Sequence, residues 1–253
     1  MASVTQRIKE IKQPRGGYLK PREWEKIEFT DNEKLGPENI HSSLVGLAVD
    51  YLTRFMMNEK VIDAFQVSLI GATIINDEVN AYRLLSQIKG LDDTSIYYAC
   101  QLVGYDVCAR AGIMGYRNVN EIQADMDTIN NIKIMVRRSI LFFKKYGPII
   151  KDGFTFEGGY TKKIDAGDGD FLTVDTLWDF KVSKKNPTSS HTLQLLVYYI
   201  MGIHSSHKEF TFIKKLGIFN PRMNCVYLKN ISDISKEVID EVAKKVIGYK
   251  NSI

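Results

Sequence analysis

The sequence predicts an α/β protein in which a central mixed β-sheet is flanked by helices and a large all-helical insertion interrupts the core. Two observations carry this prediction. Short β-branched and aromatic runs are confined to about residues 150–230, and helical apolar spacing fills most of residues 42–146. With 44% hydrophobic and 25% charged residues over 253 positions, the composition is that of an ordinary globular protein.

The first segment, residues 1–40, is polar, turn-rich and basic. Residues 1–26 hold seven basic and three acidic side chains, an excess equal to the net charge of +4 of the whole chain. Arg15 and Lys20 flank the Gly16-Gly17 pair, and we predict that both contact a phosphate backbone. A solvated terminal segment without a ligand is the alternative interpretation.

Helical patterns dominate the next hundred residues. Ser42 or Ser43 fits the N-cap of a first helix through Phe55, and further helices are predicted at about 61–72, 77–89, 93–112 and 119–146. Gly147-Pro148 ends the last of these. We therefore divide the chain into three parts, listed here: a basic segment 1–40, a core of 41–58 and 148–253, and a helical insertion 59–147. The insertion offers a surface to a protein partner.

Strands are predicted after Pro148. The predicted elements are, in order, a strand at 154–156, a β-hairpin over 170–181, a helix capped by Ser189 or Ser190, strands at 210–213, 216–219 and 225–228, and a final helix at about 233–248. The order of helices and strands is that of a mixed sheet with helices on its faces.

The hairpin carries charges inside apolar runs, where a charge is costly unless something binds it. Asp175-Thr176 is the predicted turn. Asp179 and Lys181 are two residues apart and share a face of the second strand, and Asp170 begins the first strand opposite them. Two carboxylates can hold a hard divalent cation, and a nearby lysine can orient or deprotonate an attacking water. The alternative is an Asp179–Lys181 surface pair on an amphipathic strand.

The order Asp170, Asp179-Phe180-Lys181, then Gln194 and Tyr198 on the following helix resembles the PD-(D/E)XK nuclease superfamily, and within it the RecB-like and CRISPR-associated exonuclease branch. The resemblance covers about residues 40–57 and 150–230. It implies a restriction-endonuclease-like core in which Asp170 and Asp179 bind Mg²⁺ or Mn²⁺ and Lys181 positions the water. It also implies that Gln194 supports the site as a further catalytic residue and that Tyr198 flanks it and contacts the nucleic acid.

The resemblance implies a further metal ligand on an early helix, for which Asp50 is the candidate, with the Phe180 carbonyl completing the set. The alternative is an i,i+4 pair between Asp50 and Arg54 on an exposed face. Weaker candidates are Glu38 for the same role, Glu157 as an outer residue, and Asp168 in place of Asp170.

The predicted function is metal-dependent hydrolysis of phosphodiester bonds in DNA, in a phage, defence or repair context. RNA stays open as a substrate, as does the choice between exonuclease and endonuclease. The remaining predicted backbone contacts are four lysines: Lys162, Lys163, Lys184 and Lys185. A non-catalytic module that binds nucleic acid or protein on a nuclease-like fold is the alternative function.

Several cofactors and targeting segments are not expected. The three cysteines lack the spacing for an iron–sulfur cluster, and no Walker phosphate loop for ATP is present. No apolar run approaches the roughly 18–20 residues of a membrane span. The first residues lack the apolar core of a signal peptide, so a cytoplasmic location without a membrane partner is expected.

Overall fold

The chain folds into two units in a computed structural model that describes residues 2–250. The first, here called the sheet unit, comprises Met1–Phe29 and Phe143–Ile253, and the second, the helical unit, comprises Thr30–Phe142. The α/β class with a mixed sheet is therefore confirmed. The unit boundaries differ from the predicted domains, because the helix that begins at Ser42 lies in the helical unit and the N-terminal segment belongs to the sheet unit.

The sheet unit contains a six-stranded sheet of order β2-β8-β7-β6-β5-β3. Its strands are β2 (Glu25–Glu28), β3 (Ile149–Phe154), β5 (Gly169–Thr173), β6 (Thr176–Phe180), β7 (Lys215–Asn220) and β8 (Cys225–Asn230). Only β6 and β7 run parallel, and every other neighbouring pair is antiparallel. Two short strands, β1 (Ala2–Ser3) and β4 (Ile164–Ala166), pair separately in parallel.

Helices cover both faces of this sheet. One face packs against α1 (Val4–Glu10), α9 (Ser189–His204) and the segment that follows α10 (Lys236–Glu241). The opposite face carries the aromatic side chains Phe171 and Trp178, which meet Phe143 and Tyr146 at ring-centroid distances of 4.7 and 5.1 Å. The sheet is thus buried on both sides, which explains why its central strands read as almost continuous apolar runs.

The helical unit consists of short helices and most of one long helix. Its helices are α2 (Ser42–Met56), α3 (Val61–Ala64), α4 (Gln66–Ile74), α5 (Glu78–Leu85), α6 (Asp93–Leu102), α7 (Asp106–Ala111) and the larger part of α8 (Met126–Tyr146). Within residues 2–250, no helix combines the length and the apolar character needed to cross a membrane.

Several predicted elements differ from the observed ones. Residues 210–213, predicted as a strand, lie mostly in the 3₁₀-helix Lys208–Phe212. Of the predicted strand at 154–156 only Phe154 lies in a strand, as the last residue of β3, which begins at Ile149. The hairpin turn is one residue earlier than predicted, since Thr176 already belongs to β6. The N-caps of α2 and α9 are His41 and Thr188, each one residue before the first predicted serine.

Candidate active site

The predicted hairpin is held in register by its apolar residues. Phe171 pairs with Trp178 and Leu172 with Leu177 across β5 and β6, and all four side chains are buried. The Trp178 indole also donates a hydrogen bond to Thr173 Oγ1 at 3.0 Å. A slip of one residue would move each apolar set to the opposite packed face and bring Asp170 and Asp179 among the aromatic rings there, so the register, and with it the position of the charged residues, is strongly specified.

The two carboxylates lie on the face of the sheet that α9 covers. Leu172 and Leu177 belong to the core on that face, and side chains alternate along a strand, so Asp170 and Asp179 share their side. Asp170 Oδ2 accepts a hydrogen bond from the Phe180 N–H at 2.6 Å. This bond ties the first carboxylate to the residue that follows the second one.

Asp179 is one of three described residues of the sheet unit with a buried polar atom that lacks a partner, the others being Trp24 and Asp240. Asp179 is only 2% exposed, and its Oδ1 lies 2.9 Å from Lys181 Nζ. Its Oδ2 is buried and has no hydrogen-bond partner among residues 2–250. An unsatisfied buried polar atom costs about 1–3 kcal/mol, and more when the group is charged, so this oxygen lies where a cation or donor would be stabilising.

Lys181 remains protonated near neutral pH. Burial by itself lowers the pKa of an ammonium group, but the charges of Asp179 and Asp170 and the hydrogen bond to Asp179 outweigh it and raise the pKa of Lys181. A protonated lysine donates hydrogen bonds and offsets negative charge. Two roles were predicted for Lys181, orienting the attacking water or deprotonating it. A protonated lysine fits the first role and does not fit the second.

Helix α9 brings two further predicted residues to the same face. Gln194 and Tyr198 are buried, one turn apart, and Gln194 Nε2 donates to the Tyr198 hydroxyl at 2.9 Å. Burial raises the pKa of Tyr198, and the charges of Asp179 and Asp170 raise it further, which puts the phenol within electrostatic reach of both carboxylates. The phenol is therefore neutral and can donate a hydrogen bond.

His191 belongs to the site more closely than sequence patterns indicate. Its Nδ1 accepts a hydrogen bond from the Thr188 N–H at 3.3 Å, at the start of α9. Burial lowers the pKa of His191, and the nearby Lys181 charge lowers it further. The neutral ring therefore carries its proton on Nε2. The only signal in the sequence is its spacing, three residues before Gln194 on one helix face.

The basic N-terminal segment runs past the start of α9. Thr192 Oγ1 donates to the Leu19 carbonyl at 2.6 Å, and a Cβ added to Gly17 would lie 2.5 Å from Ser189 Cβ. This close approach explains why position 17 is a glycine. The φ angles of +89° at Gly16 and +94° at Gly17 also favour glycine at both positions.

The structure distributes the predicted phosphate contacts unequally. Arg15 is exposed in the N-terminal segment, whereas the ammonium of Lys20 lies 3.3 Å from Glu23. Lys184 and Lys185 are exposed in the loop that leads into α9. Lys162 is also exposed, but Lys163 Nζ donates to the Lys245 carbonyl at 3.1 Å and so stabilises the last helical turn of the chain.

The weaker candidates have other partners or are exposed. Asp50 lies in the helical unit, where its Oδ1 is 3.0 Å from Arg54 Nε, the i,i+4 pair that was the alternative interpretation. Glu38, in the same unit, accepts a hydrogen bond from Asn131 at 3.1 Å. Glu157 and Asp168 are exposed in the sheet unit, and the charge of Asp168 joins those of Asp179 and Asp170 in raising the pKa of Tyr198.

The oxygen donors of this site fit a hard divalent cation that takes only a few of its ligands from the protein. Within residues 2–250, no group of three or more His, Cys, Asp and Glu side chains is arranged as a metal site. Mg²⁺, however, is commonly bound through one or two carboxylates, with waters and substrate phosphates completing the shell. Asp170, the unsatisfied Oδ2 of Asp179 and the Phe180 carbonyl supply oxygen donors of that kind.

Comparisons of this chain with protein-family models, with curated proteins and with solved structures found no match.

Proposed function

We propose that the sheet unit is a metal-dependent nuclease that hydrolyses phosphodiester bonds in DNA, with Asp170, Asp179 and Lys181 at its active centre. One observation carries the proposal: a carboxylate that is 2% exposed keeps one oxygen without a partner beside a charged lysine. A purely structural ion pair would satisfy both oxygens or leave the carboxylate in water.

Each residue has a role that follows from its protonation and contacts. Asp170, Asp179 and the Phe180 carbonyl would hold Mg²⁺ or Mn²⁺, which supplies Lewis-acid stabilisation of charge on the phosphoryl group. The Lys181 ammonium uses one N–H toward Asp179 and has others to orient the attacking water and offset charge on the phosphate. Gln194 and the neutral Tyr198 hold the α9 side of the site in place through their mutual hydrogen bond.

DNA as the substrate is supported by the basic residues near the start of α9. Lys184 and Lys185 precede this helix, and the segment with Arg15 lies against it. Lysine and arginine at such positions contact the phosphate backbone without reading sequence. We expect binding that weakens steeply with salt, and cleavage with little sequence preference.

The test is cleavage of linear duplex, circular duplex and single-stranded DNA and of RNA, each in Mg²⁺, Mn²⁺ or EDTA. The variants are Asp179→Asn and Lys181→Gln. Asp175→Asn and Lys215→Gln are matched controls, because this pair joins the residue before β6 to the start of β7, at the opposite end of the strands, at 3.2 Å and with each side chain 42% exposed. Cleavage that needs the cation and is lost only in the first two variants would support the proposal.

Salt-sensitive binding without cleavage of any substrate in any cation would contradict the nuclease and favour the non-catalytic binding module. Cleavage of RNA alone would keep the chemistry and correct the substrate. Equal cleavage by Asp179→Asn and the wild type would remove this hairpin from consideration as the active centre.

A further inference from the structure

The helical unit contains a half-open cavity of about 820 Å³, within the range of roughly 300–1,000 Å³ that is typical of small-molecule sites. Its walls come from the start of α2, from the junction of α6 and α7, and from residues 115–123 before α8. Apolar side chains form much of the lining, among them Leu44, Leu47, Val103, Val107 and Ile122. A cavity of this size and character can cover a planar, weakly polar body.

Arg110 presents a guanidinium to this cavity in a fixed orientation. Its Nε lies 3.3 Å from Asp106 Oδ2 and its Nη2 donates to the Tyr51 hydroxyl at 3.1 Å, while half of its side chain is exposed. Asp106 is itself 1% exposed and also accepts hydrogen bonds from Tyr51 and Ser68. The Arg110 guanidinium is therefore held by Asp106 and Tyr51, and its other N–H donors are left for a ligand.

Other charges on the cavity wall favour an anion near Arg110. Arg117 lines the cavity, is exposed, and makes no ion pair with the described part of the chain. Of the two acids that line it, Asp106 is committed to its internal partners, so two guanidinium groups stand against one exposed carboxylate, that of Glu121. Two guanidinium groups beside an apolar wall match a phosphate group attached to an aromatic body.

We propose that this cavity binds an aromatic phosphate monoester of nucleoside monophosphate size, with the phosphate on Arg110 and Arg117 and the ring on the apolar wall. The proposal is independent of the nuclease activity, because every lining residue belongs to the helical unit.

The test is calorimetric titration of the full chain with AMP, with adenosine and inorganic phosphate as separate ligands. EDTA is present throughout, and the titration is repeated with Asp179→Asn so that binding at the sheet unit is excluded. We expect saturable AMP binding, and binding of adenosine and phosphate at least about tenfold weaker, since a charge-assisted bidentate pair contributes about that much.

Two variants decide the site, and a third controls for charge. Arg117→Gln removes an exposed side chain without disturbing the fold, and Arg110→Lys keeps the charge but loses the planar fork. Each should weaken AMP binding about tenfold or more. Arg137→Gln, an exposed arginine on α8 outside the cavity, should leave it unchanged. No saturable binding, equal affinity for adenosine and AMP, or unchanged binding by Arg117→Gln would overturn the proposal.

Discussion

Two buried aspartates, one in each unit, differ in a way that separates a structural group from a functional one. Asp106 in the helical unit is 1% exposed and Asp179 in the sheet unit is 2% exposed, and each is paired with a cation. Asp106 Oδ1 accepts from Ser68, and its Oδ2 accepts from Tyr51 and Arg110. Asp179 has Lys181 on Oδ1 and no described partner on Oδ2.

The difference concerns what the fold requires of each carboxylate. A buried charge is tolerated when its hydrogen-bonding capacity is filled, and Asp106 meets that condition with groups of the protein alone. Asp179 does not, so the folded chain without a ligand carries an unfavourable free energy at that oxygen. A site that binds a cation has this property, since the donor must be left open for the ligand.

The largest expected effect is on catalysis. Asp179→Asn should lower the single-turnover rate of DNA cleavage by at least about 1,000-fold, because a neutral amide loses the charge that holds the cation, a difference of about 4 kcal/mol in activation free energy. Asp106→Asn should leave the rate within about threefold, provided that the variant is folded, because a structural acid acts on stability and not on the chemical step. Equal reductions of the cleavage rate in both variants would contradict the distinction between Asp179 as a functional acid and Asp106 as a structural one.

The next effect is on the free energy of unfolding, and here the Asp106 variant is expected to be affected more than the Asp179 variant. Asp106→Ala should lower the free energy of unfolding of the helical unit by about 1–3 kcal/mol for each of the buried hydroxyls of Tyr51 and Ser68, because both lose their acceptor. Far-UV circular dichroism in urea measures this loss.

Asp50→Ala is the matched control in the same unit. The Asp50–Arg54 pair is partly exposed, with side-chain exposures of 31% and 20%, and its loss should cost no more than about 1 kcal/mol. An Asp106→Ala variant that is as stable as Asp50→Ala would show that the hydrogen bonds to Asp106 add no more to the free energy of unfolding than an exposed ion pair does.

The third effect joins metal binding to stability. Mg²⁺ at about 100 times its dissociation constant should stabilise the sheet unit by about 2.7 kcal/mol in the wild type and by much less in Asp179→Asn. Both tryptophans, Trp24 and Trp178, lie in this unit, so thermal unfolding followed by tryptophan fluorescence reports on it. The gain from Mg²⁺, and not the stability without it, tests the site, because Asp179→Asn also removes the ion-pair partner of Lys181. An equal gain in wild type and variant would contradict cation binding at Asp179.

Local sequence patterns are enough to locate the hairpin and α9, because both depend on short-range apolar spacing. Gln194 and Tyr198 come together as predicted for residues four apart on a helix. The charged edge strand β2 was not predicted, since Glu25, Lys26 and Glu28 hide the apolar alternation that identifies a strand. Its exposure at one side of the sheet explains why charged residues are favoured there.

The difference between the two aspartates could not be predicted in this way. Asp106 and Arg110 form an i,i+4 pair that reads as ordinary helix support, whereas Tyr51 and Ser68 reach Asp106 across 55 and 38 residues of sequence. The unsatisfied oxygen of Asp179 depends on which groups surround it in three dimensions. Saturation of a buried acid is therefore a property of tertiary packing, and neither the residue types nor their spacing encode it.

The smallest expected effect comes from a third acid, Asp31, which is paired but more exposed. Arg138 Nε and Nη2 lie 2.7 and 2.8 Å from its two carboxylate oxygens, and the Asp31 side chain is 30% exposed. The hydrogen bonds from Arg138 lower the pKa of Asp31 despite partial burial. Its stabilising contribution is therefore present above the unfolded-state pKa of about 3.9 and is lost as the pH falls through the lower folded-state pKa.

We expect the Asp31→Asn variant to lack about 1 kcal/mol of this acid-dependent stability, a value limited by solvent screening of a partly exposed pair. Urea unfolding of wild type and variant at neutral pH and below about pH 3 measures the difference, which should be largest at neutral pH and should shrink in acid. An unchanged gap between the two proteins at both pH values would mean that Asp31 contributes through packing alone. A gap that closes in acid would place Asp31 between the other two acids: paired on both oxygens like Asp106, yet 30% exposed beside a buried Arg138.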